Sequence, residues 1–216
     1  MTIMEWLEGP LWSASATVFL VFSAWRVLAI LFAGRPRPVM PAQGSPTAGA
    51  IWSMFRHFIP SQVVRRSGRT WFVTIAGYAF HLGLFVLLLF AQPHVDFIRA
   101  HIVDIDLPVL PRWGFIVAAE FAFAGLLALW VRRFVDPVVQ FISRPDDHIG
   151  AGLTFLVMLT GCLALGEQST ALRAIHLGFV ELWLVYFPFS SLIHTFTWLP
   201  SRLMTGATAG RRGVNW

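Results

Sequence analysis

Apolar residues in this chain run in long blocks instead of alternating. Five blocks, near residues 11–33, 71–91, 113–131, 149–166 and 174–199, are nearly free of charge. Each is long enough to cross about 30 Å of hydrocarbon as a helix, which takes roughly 20 residues. The polar positions fall between them. The connector 34–70 opens with the Pro-, Gly- and Ser-rich run RPRPVMPAQGSPTAG and continues as IWSMFRHFIPSQVVRR. Its second half mixes large apolar residues with Arg, and reads as an interfacial helix or a docking surface. Residues 92–112 carry Asp96, Asp104, Asp106 and three prolines, and predict an irregular or short-helical cap. In the 132–148 segment, Asp146 or Asp147 is placed to cap the fourth span. With no internal repeat, the pattern predicts an all-α integral membrane protein, one domain over 1–216, its five transmembrane helices forming a bundle.

Composition agrees. The chain is 56% hydrophobic and 12% charged, with a mean hydropathy of +0.67, far from soluble globular usage. The first apolar block is too long for the core of a signal peptide and is preceded by Glu5 and Glu8 instead of basic residues, which argues against a removable leader.

All 16 basic residues are Arg, and their placement predicts orientation. Arg35, Arg37, Arg56, Arg65, Arg66 and Arg69 lie between spans one and two, Arg132, Arg133 and Arg144 between three and four, and Arg202, Arg211 and Arg212 after five. Arg99, Arg112 and Arg173 fall on the opposite side, and Arg26 inside the first span. The positive-inside rule then puts the N-terminus outside and the C-terminus in the cytoplasm, in the cytoplasmic (inner) membrane of the cell. The sequence pI of about 10.9 thus reflects topology and needs no nucleic-acid partner. Cys162 is the one cysteine, so the chain can build no internal disulfide, no cysteine-ligated iron–sulfur or zinc cluster and no covalent CxxCH haem attachment.

An ionisable side chain at membrane depth is costly and points to function. His176 and His194 are 18 residues apart in the fifth block. On one continuous helix that is five turns, a common face and about 27 Å of separation. One ligand near each surface suggests two cofactors at two depths, and non-covalent, bis-imidazole haem b suits such ligands. Counting about 1.5 Å per residue from the cytoplasmic boundary, His81 lies roughly 16 Å deep and His194 roughly 9 Å, a pair for an inner haem. His176 and His94 both come out near 36 Å if the second helix stays regular, a pair for an outer haem. Pro93 precedes His94 and can bend or end that helix, and His101 is the reserve ligand. His57 and His148 read as surface or capping residues. Arg26, expected to be buried in the first span, is suited to haem propionates or to snorkelling. Glu120, Glu167 and Glu181 are candidate quinol-proton acceptors, or partners for Arg173.

At these residues the chain resembles the gamma subunit of respiratory nitrate reductase, a five-helix membrane cytochrome b. The match is carried by HLGFVELWLVYFPFSSLIH, where the family has two haem-ligating histidines flanking a Phe-Pro-Phe-Ser step, and by FHLG around His81. The resemblance implies haem b held by His81, His194, His176 and His94, and menaquinol or ubiquinol as the electron donor. It also implies cytoplasmic iron–sulfur and catalytic subunits as partners. Where the family's second helix supplies a further ligand this chain has Ala91, so either His94 takes that place or one haem is absent, as in anchors resembling those of heterodisulfide-reductase-type and sulfite-reduction complexes. Ser191 stands where the family usually has Arg. A different class of function, a transporter with a His/Glu proton relay, would also place ionisable groups at several depths.

Overall fold

A computed structural model describes residues 2–34, 41–58, 68–167 and 169–214, apart from the side chains of residues 57, 69, 166 and 167. The described residues are helical and contain no strand. In chain order the helices are α1 (Ile3–Phe32), α2 (Pro46–His57), α3 (Gly68–Phe90), α4 (Gln92–His101), α5 (Arg112–Val135), α6 (Pro137–Ile142), α7 (Pro145–Glu167), α8 (Thr170–Tyr186) and α9 (His194–Arg211). Two 3₁₀ turns, Phe187–Phe189 and Ser191–Ile193, separate α8 from α9. Five stretches are long and apolar enough to cross a membrane: α1, Thr70–Phe90, α5, Pro145–Leu165 and Thr170–Phe189. The five apolar blocks of the sequence correspond to these.

The chain divides into two compact units, residues 1–65 with 168–216, and residues 66–167. In the second unit α3 and α5 run antiparallel at backbone contact distance. A Cβ added at Gly83 would lie 2.6 Å from the Ala118 carbonyl oxygen, and one at Gly125 would lie 2.5 Å from that of Ala76. Small residues bring helices together where no hydrophobic effect drives association in lipid, because they let dispersion contacts form along the backbone. Around this seam Leu87, Ala118, Ala119, Ala122, Leu126 and Met158 form the buried core. The Trp130 indole donates to His148 Nδ1 at 3.3 Å, so half-exposed His148, in the first turn of α7, joins α7 to α5. Asp147 accepts from the Arg144 backbone N–H at 2.9 Å, and so caps α7 as anticipated. The 92–112 segment begins as the short helix α4, and the Leu110 N–H donates to the Phe90 carbonyl at 2.9 Å.

In the first unit, Glu8 pairs with Arg173, Phe19 meets Phe187 and Phe22 meets Phe189, so α1 and α8 run in the same direction. Spans one and five of an alternating series must do so. The fifth apolar block is not one helix. Pro188 has no N–H to donate and its ring excludes a preceding carbonyl, so the α-helix ends at Tyr186. Ser190 is extended, with its hydroxyl donating to the Phe187 carbonyl and accepting from the Leu192 N–H. Phe187 and Phe196 are nine residues apart, yet their ring centroids are 5.7 Å apart. A straight helix would separate them by about 13 Å along its axis, so the chain turns sharply.

The connector contains α2, which starts inside the Pro/Gly/Ser-rich run: Ser45 accepts from the Ala48 N–H and Pro46 takes the first helical position. α2 packs antiparallel on α9 through Gly49 and Ser53 against Gly206 and Gly210. The Ser53 hydroxyl lies 2.7 Å from the Arg202 carbonyl it donates to, and the Gln43 N–H donates to that of Arg211 at 2.8 Å.

Candidate functional site

His81 is half-buried on α3, roughly 120–160° around the helix from Leu87 and Gly83, and so lies off the face packed on α5. Its Nδ1 is 2.8 Å from the Gly77 carbonyl oxygen. A carbonyl can only accept, so the proton is on Nδ1 and the lone pair is on Nε2. Phe80 packs edge-on at 4.8 Å between ring centroids and Phe85 lies at 6.5 Å.

His194 opens α9, beyond the turn, and is exposed. Its Nδ1 lies 2.7 Å from the Ser191 carbonyl oxygen, fixing the same tautomer. His176 is half-buried on α8. The two residues therefore do not share a helix, and the five-turn, common-face geometry with its 27 Å span is corrected. Phe-Pro-Phe is apolar and extends the hydropathic block, while Pro188 ends the helix within it.

The second helix also stops early. Ala91 is extended and α4 begins at Gln92, so His94 is not on a regular continuation of α3. Its Nδ1 instead reaches back 3.0 Å to the Leu87 carbonyl, which also accepts the Ala91 N–H at 3.2 Å where α3 ends. His94 too thus carries its lone pair on Nε2. His101 repeats the arrangement with the Phe97 carbonyl at 3.2 Å, but is exposed and stacked on Phe97.

Arg26 corrects another expectation. It is exposed on α1, whose buried residues are Leu7, Ser15 and Ser23, and it makes no ion pair with a described residue. Phe22 packs on Phe189, so Arg26, one turn further on by about 6 Å, lies toward the same end of the unit as His194. Arg173 pairs with Glu8. Of the three candidate carboxylates, Glu181 is buried, with Oε1 lacking a hydrogen-bond partner. Glu120 is exposed, and the Glu167 side chain lies outside the described residues.

His81 and His94 belong to one unit, and His176, His194 and Arg26 to the other. Among the described residues no three His, Cys, Asp or Glu side chains cluster as a metal site would require. A bis-imidazole site needs only two, and three of the four candidate imidazoles have the tautomer that ligation through Nε2 demands. The donor chemistry fits haem iron. What the sequence could not reveal was the anchoring: His94 and His194 reach the carbonyls of Leu87 and Ser191 at places where the chain turns between helices, whereas Gly77, four residues before His81, is the ordinary helical reach.

The arginines expected to form a docking surface are not equivalent. Arg132 pairs with Asp136 at 3.1 Å, and Arg133 with Asp147 at 3.3 Å and the Ser143 hydroxyl at 3.0 Å. Arg56 lies over the Trp52 ring at 5.7 Å. Arg202 and Arg212 are exposed on and just after α9, while Arg35, Arg37, Arg65 and Arg66 lie outside the described residues.

The described residues thus define an all-helical chain with five helices suited to crossing a membrane and several backbone-anchored histidines within or beside them. A curated protein of Nitratidesulfovibrio vulgaris is 26% identical over 207 residues, covering 93% of this chain and 90% of its own, and its printed name, "Protein", states no activity. No family model matches the chain, and no solved structure matches it.

Proposed function

We propose that this chain is a membrane cytochrome b subunit that passes electrons between the quinone pool and a cytoplasmic iron–sulfur partner, in the manner of nitrate reductase gamma subunits. The observation that carries the reading is the shared anchoring of His81, His94 and His194, each with Nδ1–H directed to a main-chain carbonyl. This anchoring fixes a proton on Nδ1 of each imidazole and orients the ring, leaving Nε2 as the nitrogen that would ligate. His81, His194, His176 and His94 are the residues that would hold haem b. Bound haem supplies one-electron redox chemistry, with its potential set by the axial ligands and their hydrogen bonds. Arg26 offers its guanidinium to propionates near His194. Glu181, buried and with Oε1 unpartnered, is the carboxyl best placed to take a proton released by quinol.

In this reading the N-terminus faces outward and the C-terminus the cytoplasm, and the five spans act as one domain in the inner membrane. The partner docks on the exposed arginines of α9 and its end. Purified protein tests the reading directly: a b-type absorption spectrum, with one or two haems per chain by pyridine haemochromogen assay, is expected. A colourless chain after expression with adequate haem supply would overturn it and favour a His/Glu proton relay.

A further inference from the structure

The helix α2 is not a membrane span, yet it carries one of the most apolar exposed faces outside the spans. Ile51, Trp52, Phe55 and Phe58 are 52%, 51%, 58% and 57% exposed. Gly49 and Ser53, a third to half a turn around the helix from Ile51 and Phe55, are consumed by the close contact with α9, so Ile51 and Phe55 are turned outward from that seam. The seam also fixes where α2 sits. Phe58 packs edge-on against Trp198 of α9 at 5.6 Å, and two residues earlier Phe196 packs on Phe19 of α1 and on Phe187 at the end of the fifth span. The apolar face is therefore held beside the end of a membrane-spanning helix, and cannot swing far from the bilayer surface.

We infer that this face lies in the headgroup boundary of an anionic phospholipid leaflet. The chemistry matches on both sides. Trp and Phe suit the apolar side of the boundary, where an interfacial helix buries its face by about 5–10 Å. Arg56 leaves the helix between the apolar face and the seam, half-buried, with its guanidinium over the Trp52 ring at 5.7 Å, so a fixed positive charge stands beside the apolar face. The connector holds five further arginines, Arg35, Arg37, Arg65, Arg66 and Arg69, and no Asp or Glu at all, so its net charge complements an anionic lipid surface. This assignment does not depend on haem. It also leaves the partner proposed above the polar arginines of α9, and not the Trp/Phe face of α2.

The experiment uses the full chain in vesicles of phosphatidylcholine, with and without phosphatidylglycerol. Spin labels are placed at Ile51→Cys, Phe55→Cys and, as an aqueous reference, Asp104→Cys, all on a Cys162→Ser background, and collision with oxygen is compared with collision with a water-soluble nickel chelate. The expected result is an oxygen-to-nickel ratio at 51 and 55 severalfold above that at 104, rising further when phosphatidylglycerol is present. A ratio equal to that at 104 means the face is in water. Protection from both reagents means it is covered by protein, whether a second copy or a co-purified subunit. Either outcome overturns the assignment. Because labelling alters the face itself, unlabelled chain and Trp52→Phe are also compared for fluorescence quenching by brominated phosphatidylcholine. Loss of a quenchable component in Trp52→Phe is expected, and identical quenching in the two overturns the inference.

Discussion

At the scale of single residues, the chemistry rests on how each imidazole is held. His81 and His194 each direct Nδ1 to a carbonyl within four residues, so neither ring needs a distant partner to stay oriented. Replacing one by Ala removes a ligand without disturbing the helix that carries it, since Ala is the best helix former. His81→Ala and His194→Ala are therefore each expected to abolish the inner haem signal while membrane insertion persists. Unchanged haem content in both would end that assignment. His176→Ala should remove a second signal and block quinol-driven reduction. If the native chain binds a single haem that His176→Ala retains, then His94 is only the helix cap that its bond to the Leu87 carbonyl describes. Glu181 differs from Gln in shape by almost nothing but offers an exchangeable proton. Glu181→Gln is thus expected to slow quinol oxidation about a hundredfold or more, within the range for losing a general acid–base group, with haem content and thermal stability retained. An unaltered rate would remove Glu181 from the proton path.

Among the elements, glycine positions separate packing from propensity. Gly83 and Gly125 let α3 and α5 touch, and a methyl group there would meet backbone atoms that cannot yield. Gly83→Ala is expected to cost about 1–3 kcal/mol, as overpacking does. Gly77, on the same helix, has open space where its Cβ would be. Gly77→Ala should gain up to about 1 kcal/mol from helix propensity and keep the carbonyl that anchors His81. Thermal melts of the two variants in one detergent check the contrast, and equal shifts would mean that the α3–α5 seam is not as close as described. These elements also mark what the sequence made legible. Blocks of some 20 apolar residues identify spans because nothing else tolerates them in water, and Ser45-Pro46 was a readable helix start inside a run that composition alone labels a loop. The break at residues 187–193 was hidden because hydropathy weighs side chains and ignores the missing N–H of Pro188. The stop at Ala91 has a cause the sequence does show: Pro93 offers no N–H to the Leu89 carbonyl and its ring would clash with it, so a continuous helix cannot run on to His94. Both misreadings fall beside candidate ligands, and both came from extending an ideal helix through a proline.

For the whole molecule, net charge is +5 and its distribution is the main guide to a partner. Electrons that arrive at an inner haem must leave, and a chain with one cysteine has no iron–sulfur cluster of its own to receive them. On the proposed reading a cytoplasmic subunit is steered to the surface where they exit, and long-range attraction between arginines and an acidic partner would do this. The arginines differ in availability. Arg132 is only 23% exposed and is held by Asp136, whereas Arg202 and Arg212 are exposed. Removing a charge that is already neutralised within the chain should matter little to a partner. Removing two exposed ones costs the complex the sum of two rim contacts at about 0.2–1 kcal/mol each, or up to roughly 30-fold in affinity. The double variant Arg202→Ser/Arg212→Ser is thus expected to lower the yield of co-purified iron–sulfur subunit and to slow haem reoxidation, increasingly so as salt is reduced, while haem content stays constant. Arg132→Ser serves as the contrasting variant and should leave the yield near that of the native chain. If Arg132→Ser weakens the complex more than the double variant does, the partner sits at the α5–α6 corner, and the docking surface proposed on α9 is wrong.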